Sequence, residues 1–359
     1  MKHLFFVQSA HLDFLSASII NELGLNPFDC QFFCLRGYRS ISKINTIDLP
    51  TDFRGNFFRS ARIDTFKDRY AELLAIINFA TSGQKFLAYL PQFFEAFVPF
   101  VVTHPDCVGF YHIEEGLHSS IYPIDASVRN SWGSRLELEA NHLLTRLLLK
   151  TVNVSSNQLP KPCFSSSSAK AYFCISDFAY PGADQRKKIK LPLNGGHKYL
   201  QADETIDKGK KCVAIPIDSL NFRNVDELEA YTALLVKSLH QIPDLDERVL
   251  LLKMHPKTKN HRVLEGISNI IDVHFCDENL IIKCTSTPLE YLYEDSIDVI
   301  FIGGVSSVLA YASISGKEVL SCARDIHNND LFARLHHSKS QMIEAILENS
   351  GVKLISSVQ

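Results

Sequence analysis

The sequence lacks any long apolar run. No stretch reaches the roughly 18 apolar residues that a membrane span needs. The longest candidate, between Phe93 and Val102, is interrupted by Glu95 and Pro99. The first apolar run of the chain stops at Gln8, which is too short for the core of a secretory signal peptide. We therefore expect a cytoplasmic protein, with peripheral membrane contact left open.

Paired cysteines and a strong excess of charge are also absent. None of the nine cysteines forms a Cys-x-x-Cys pair, and most lie in apolar surroundings, as Cys174 and Cys212 do. They are typical of small core residues in a reducing compartment. The formal net charge is −3, which gives no reason to expect nucleic acid as a partner. With 46% hydrophobic and 21% charged residues, the 359-residue chain has the composition of a globular protein of two domains.

Short apolar runs alternate with stretches of helical periodicity along the first half. Leu15, Ile19 and Leu23 recur at helical spacing, and a second helical stretch runs from Thr65 to Phe79. We predict strands at residues 4–7, 30–35, 86–90, 108–113 and 169–176, and a further helix at 133–149. This alternation is typical of a parallel α/β sheet.

The second half repeats the pattern. We predict strands at residues 212–217, 248–254, 298–302 and 318–322, and helices at 225–239, 289–293 and 306–315. A turn at Tyr180-Pro181-Gly182 and a charged stretch at residues 186–190 indicate a domain boundary. We assign residues 1–185 to a first domain and residues 186–359 to a second.

Two adjacent acids follow the predicted strand at 108–113, in the sequence Ile113-Glu114-Glu115-Gly116. Open parallel sheets place their ligand sites at the carboxyl ends of strands. Like charges held close together raise the pKa of one carboxyl, which makes it able to accept a proton near neutral pH. A solvated surface turn explains the same residues and stays an alternative.

A histidine between two lysines ends a strand of the second half, in Lys253-Met254-His255-Pro256-Lys257. Ring N–H groups and nearby positive charge suit a phosphate and would stabilise the charge on a leaving phosphate. Proline ends the strand and fixes the loop. The alternative is a strand-end turn with exposed lysines.

A glycine turn and two serines follow the predicted strand at 298–302, in Gly303-Gly304-Val305-Ser306-Ser307. Free backbone N–H groups and hydroxyls at a helix N-terminus bind phosphate. The segment is not a P-loop, because no Gly-Lys-Ser/Thr follows. Helix capping by serine alone is the alternative.

Taken together and in this order, Glu114-Glu115-Gly116, His255-Pro256 and Ser306-Ser307 resemble the bacterial sialyltransferases of GT-B fold. These include lipooligosaccharide and capsule-polymerising enzymes. The resemblance implies an α/β protein of two Rossmann-like domains with the active site in the cleft between them. The first domain is expected to bind the acceptor and to carry the catalytic base, and the second to bind the CMP-sugar.

The resemblance also implies roles for individual residues. Glu114 is the expected general base, with Glu115 as its catalytic neighbour, and His255 is expected to contact the CMP phosphate and stabilise the leaving group. Cytosine contacts are expected near Pro216 and Ser219. The expected donor-binding residues are Lys253, Pro256, Gly304, Ser306 and Ser307 around the phosphate and Glu290 at the ribose.

The implied reaction is an inverting transfer of sialic acid from CMP-sialic acid to a hydroxyl group of a glycan acceptor, in lipopolysaccharide or capsule biosynthesis. The expected partners are the CMP-sugar donor and the glycan acceptor, with contact with the inner membrane left open. No cofactor or metal is expected, because no Asp-x-Asp motif stands at a strand end and no histidine or cysteine spacing is typical of a metal site.

Three alternatives stay open. The donor could carry another acidic sugar on CMP, such as Kdo, pseudaminic acid or legionaminic acid, or it could be a UDP-sugar. The chain could also be a binding protein of the same pathway without catalytic activity.

The acceptor site is open as well. His11, Arg36, Tyr38 and Trp132 are candidates by chemistry and placement, and packing or a surface ion pair explains each of them equally.

Overall fold

The computed structural model describes residues 1–50, 63–91, 97–116, 119, 143, 146–147, 149–150, 152, 169–193, 197–200, 209–217, 222, 224–255, 262–276, 280–285, 287–294, 296–335 and 340–355. The chain forms two compact units, Met1–Gln201 and Ala202–Gln359. Each unit is built on its own sheet, in which every strand pairing is parallel.

The first unit is a seven-stranded sheet with helices. Its strands are β1 (Lys2–Val7), β2 (Cys30–Cys34), β3 (Thr46–Asp48), β4 (Phe86–Leu90), β5 (Cys107–Ile113), β6 (Tyr172–Cys174) and β7 (Lys188–Lys190). Its helices include α1 (Ala10–Glu22), α2 (Ile63–Thr81) and α3 (Val98–Val102). The strand order is β3-β2-β1-β4-β5-β6-β7. The direction in which strands are added therefore reverses between β1 and β4.

The second unit is a six-stranded sheet with helices. Its strands are β8 (Cys212–Pro216), β9 (Val249–Lys253), β10 (Ile281–Cys284), β11 (Val299–Gly303), β12 (Glu318–Ser321) and β13 (Lys353–Leu354). Its helices include α4 (Val225–Leu239), α5 (Arg262–His274), α6 (Ser307–Ile314), α7 (Ala323–Asn328) and α8 (Ser340–Asn349), with a 3-10 helix at Leu289–Tyr293. The strand order is β10-β9-β8-β11-β12-β13, so the reversal lies between β8 and β11.

Burial explains why the central strands are continuously apolar. Every residue of β4, β8 and β11 is buried. A parallel sheet covered by helices on both faces needs apolar side chains at successive positions rather than at alternate ones. Both strand orders are those of Rossmann-like sheets, in which ligands bind beyond the carboxyl ends of the strands at the point of reversal.

The sequence patterns predicted most of these elements. β4 and α4 begin and end at the predicted residues. The predicted helix at 133–149 lies almost wholly outside the described residues. Helix α5 was missed, although Val263, Ile267 and Ile271 recur at spacings of four residues and are buried.

The division between the units differs from the predicted boundary after residue 185. The charged stretch 186–190 contains β7, which pairs with β6 and belongs to the first sheet. β7 is an edge strand, and charged side chains are common at sheet edges, where they discourage pairing with other chains. The charge that indicated a linker is thus the charge of an edge strand.

None of the described helices combines the length and the apolar composition that crossing a lipid bilayer requires.

Candidate active site

The acidic pair of the first unit follows β5, at the carboxyl edge of the sheet. Glu114 is completely buried. Its carboxylate accepts hydrogen bonds from the backbone N–H groups of Ile175 (2.6 Å) and Ser176 (3.1 Å) and from the Ser176 hydroxyl (2.5 Å). Its own N–H donates to the carbonyl of Phe173 at 3.0 Å. Glu114 therefore ties the end of β5 to the end of β6.

Glu115 lies in a different environment, because it is only partly buried. The side-chain amide of Gln8, the residue after β1, donates a hydrogen bond to its carboxylate. The backbone N–H of Glu115 donates to the hydroxyl of Ser119 at 2.6 Å. Gly116 has φ +54°, a left-handed conformation that favours glycine and turns the chain directly after the acid. Of the two acids, Glu115 is the less buried residue, although its Oε2 atom is itself buried.

Two buried histidines lie close to this pair. His11, in the first turn of α1, has its pKa lowered to about 4 by burial, opposed by a hydrogen bond to the backbone of Glu114. His112, on β5, stacks on Tyr172 with ring centroids 5.5 Å apart, and burial lowers its pKa to about 3. Both rings are therefore neutral at pH 7.

Asp13 is a further buried acid, which the sequence patterns did not single out. It lies in the first turn of α1. Its carboxylate accepts hydrogen bonds from the Tyr38 hydroxyl (2.8 Å), the Ser40 hydroxyl (2.9 Å) and the backbone N–H of Ile41 (2.7 Å). Burial raises the pKa of Asp13 from 3.8 to about 6, although these hydrogen bonds oppose the shift. The signal in the sequence that could have identified Asp13 is an acidic residue within a helical segment whose other residues are mostly suited to burial.

The four acceptor candidates have different surroundings. His11 is buried beside Glu114, and Tyr38 is bound to Asp13. Arg36 is exposed, and its φ of +58° is followed by φ +69° at Gly37, so the turn after β2 is left-handed at two successive residues. Trp132 lies outside the described residues.

In the second unit, the predicted His-Pro motif follows β9. Lys253 is the last residue of this strand and pairs in register with Pro216 of β8. The backbone N–H of Ile217 donates to the carbonyl of Lys253 at 2.8 Å. Lys253 and His255 are partly exposed at the carboxyl edge of the sheet, while Pro256 lies outside the described residues. The same is true of Ser219, the other residue expected near cytosine.

The glycine turn and the serines lie between β11 and α6, at the reversal of strand order. Gly303 is close to β8, and a Cβ atom there would lie 3.3 Å from the carbonyl oxygen of Pro216. Ser306 is the N-cap of α6, and its hydroxyl accepts from the backbone N–H of Val308 at 3.3 Å. Ser306 and Ser307 are partly exposed. Capping is therefore real. The N–H groups of Val308 and Leu309 both donate to Ser306, to its hydroxyl at 3.3 Å and to its carbonyl at 3.2 Å.

Glu290 is partly exposed on the 3-10 helix at Leu289–Tyr293, which packs against α6. The buried hydroxyl of Tyr293 donates to the carbonyl of Val308 in the first turn of α6, at 3.2 Å. The ammonium group of Lys317 donates to the carbonyl of Glu294 at 2.7 Å. The segment that carries the expected ribose-binding acid is thus fixed to the helix that carries the serines.

The described donor-site candidates therefore belong to one region of the second unit. Lys253 is the last residue of β9, and His255 follows it. The glycine turn is at the end of β11, and β8 lies between these two strands. Positive charge, hydroxyl groups and the N-terminus of a helix at this edge can bind a phosphate. Among the described residues, no three His, Cys, Asp or Glu side chains are grouped so that they could hold a metal ion. Metal independence stays a prediction.

Comparisons with known proteins bear on the fold. No protein-family model matches this sequence, and no curated protein sequence matches it. The structure of the GT-B domain of a sialyltransferase from Photobacterium damselae, residues 113–497, is similar with a TM-score of 0.52 and 13% identity over 99% of this chain and all of that one. A second structure of sialyltransferase from that organism gives 0.52 and 12% identity, over 99% of this chain and 81% of that one.

A co-structure of Staphylococcus aureus MnaA with UDP is also similar, with a TM-score of 0.48 and 13% identity over 90% of this chain and 79% of that one. Identities of 12–13% show a shared fold only. The predicted fold class, an α/β GT-B protein of two Rossmann-like domains, is confirmed.

Proposed function

We propose that this protein is an inverting glycosyltransferase that moves sialic acid from CMP-sialic acid to a hydroxyl group of a glycan acceptor, in the cytoplasmic synthesis of bacterial lipopolysaccharide or capsule. The observation that carries the proposal is the placement of the motifs. The acidic pair lies at the ligand edge of the first sheet, and Lys253, His255 and the serine-capped turn lie at the ligand edge of the second.

The proposed reaction is a single displacement at the anomeric carbon. A carboxylate of the first unit takes the proton of the acceptor hydroxyl, and the acceptor oxygen forms the new bond to that carbon. The bond from the carbon to the phosphate oxygen breaks, and CMP leaves with its electron pair. His255, Lys253 and the N-terminus of α6 stabilise the negative charge on the departing phosphate.

We assign the proton transfer to Glu115. The family resemblance implied Glu114, but its carboxylate is enclosed and accepts three hydrogen bonds within the protein. Glu115 is partly exposed and is oriented by Gln8. A general base must reach the proton that it removes, so the less buried of the two residues is the better candidate.

Isosteric substitutions separate the two acids. Glu115→Gln should retain the fold and lower the rate of transfer by about 10²- to 10⁴-fold, the usual contribution of a positioned base. Glu114→Gln keeps an acceptor oxygen for Ile175 and Ser176, and the Ser176 hydroxyl can accept from the new amide, so we expect it to stay active. The measurement is transfer from CMP-sialic acid to an array of glycans. An inactive Glu114→Gln beside an active Glu115→Gln would make Glu114 the base.

Nucleotide binding tests the donor. The edge of the second sheet recognises a phosphate, which CMP-sugars and UDP-sugars share. We expect CMP to raise the melting temperature more than CDP, UMP or UDP does. A ligand at 100 times its Kd adds about 2.7 kcal/mol to the free energy of unfolding, so binding is seen as a shift in melting temperature. His255→Ala should lose the shift, and His274→Ala, which removes an exposed histidine from α5, should keep it. Stabilisation by UDP alone would overturn the CMP assignment.

A further inference from the structure

Ser321 ends β12 and is completely buried beside the glycine turn. Its hydroxyl donates to the carbonyl of Gly304 at 2.6 Å and accepts from the backbone N–H of Ala323 at 3.1 Å. The N–H of Cys322 donates to the carbonyl of Gly303 at 2.9 Å. The end of β12 therefore holds the carbonyl groups of both glycines.

These hydrogen bonds have an electrostatic consequence for a phosphate. A carbonyl oxygen carries partial negative charge, and it would repel an anion bound at the N-terminus of α6. The hydroxyl of Ser321 holds the Gly304 carbonyl towards β12. Gly303 is confined on its other side by the carbonyl of Pro216, which lies 3.3 Å from the position of a Cβ atom. The turn is thus fixed from two neighbouring strands.

We infer that Ser321 is a positioning residue for the phosphate site, and this inference rests on the proposed function. It orients the glycine turn so that the N-terminus of α6, rather than the carbonyl oxygen of Gly304, faces the phosphate. Ser321 contacts no ligand atom and acts through Gly304.

Ser321→Ala is the informative variant, and Ser238→Ala is its matched control. Ser238 is a buried serine of α4 in the same unit, and its hydroxyl donates to the carbonyl of Leu234 at 2.9 Å. Both variants lose one buried hydroxyl that donates to a carbonyl. Only Ser321→Ala frees a carbonyl at the phosphate site. We expect it to raise the Kd for CMP about tenfold, the effect of one well-placed hydrogen bond, while Ser238→Ala leaves the Kd unchanged.

Cytidine, which has no phosphate, separates positioning from general damage. Titration calorimetry should show that Ser321→Ala lowers the affinity for CMP and leaves the affinity for cytidine as in the wild type. An equal loss of affinity for CMP and cytidine, or an unchanged affinity for CMP, would overturn the inference. A wild-type protein that binds no CMP would instead overturn the proposed function. Should Ser321→Ala fail to fold, Ser321→Cys retains a weak donor and should give an intermediate Kd for CMP.

Discussion

At the scale of single residues, the first unit contains more buried titratable groups than its sequence motifs indicate. Asp13 is fully buried, and its carboxylate holds the loop after β2 through three donors. A carboxylate taken out of water is costly unless hydrogen bonds replace its solvation. Here they replace it in part, because the pKa is still raised to about 6. Asp13 is therefore ionised at pH 7 at some cost to stability.

Asp13→Asn tests this cost. A raised pKa means that the folded state binds the proton more tightly than the unfolded chain does. The free energy of unfolding of the wild type should therefore fall, relative to that of the variant, as the pH rises from about 4 to about 6. The pKa difference between 3.8 and about 6 corresponds to about 3 kcal/mol. Urea denaturation at a series of pH values measures it.

The exposed Asp272 of α5 provides the control, because Asp272→Asn should follow the wild type throughout. A wild-type curve parallel to that of Asp13→Asn would show that the carboxyl titrates alike in the folded and unfolded chains. His11 and His112, whose lowered pKa values act in the opposite direction, are present in all three proteins and cancel in the comparison.

At the scale of elements, the strand ends that meet at one edge of the first sheet determine the different surroundings of Glu114 and Glu115. β5 was predicted from its apolar run, and its position in the sheet was not. Its pairing with β6 brings Ile175 and Ser176 to Glu114. The pairing of β1 with β4, and of β4 with β5, places Gln8 within reach of Glu115. Two adjacent acids of the same chemistry thereby differ in burial, since Glu114 is completely buried and Glu115 only partly.

At the scale of the whole molecule, the proposed proton transfer belongs to the first unit and the proposed nucleotide binding to the second. The proposed phosphate site includes the backbone N–H groups at the N-terminus of α6, so a bound nucleotide should protect them from exchange. With CMP present, we expect slower hydrogen exchange in peptides covering Val305–Leu309 and in those covering β8. Peptides covering β1 and β5 should exchange at the same rate with and without CMP. Mass spectrometry of the full chain measures this.

His255→Ala provides the control, since CMP should protect none of these peptides in that variant. Protection confined to peptides of the first unit would contradict the assignment of the nucleotide to the second.

The local features of this protein follow from its amino-acid sequence. Apolar runs and helical periodicity are properties of neighbouring residues, so they predicted β4, α4 and the two α/β halves. The GT-B fold was predicted through the resemblance of the three motifs, in their order, to a known family. The missed α5 had the necessary periodicity. The predicted boundary after residue 185 came from the charge of an edge strand, which is also typical of a linker.

Which polar groups are enclosed depends on the tertiary structure. Glu114 is enclosed by residues 61 and 62 positions away, Asp13 by residues 25 to 28 away, and Gly304 is held by Ser321, 17 positions along the chain. The pKa of a carboxyl and the direction of a carbonyl depend on solvation and hydrogen-bond partners. Strand pairing supplies those partners from distant parts of the chain, and no local pattern specifies that pairing.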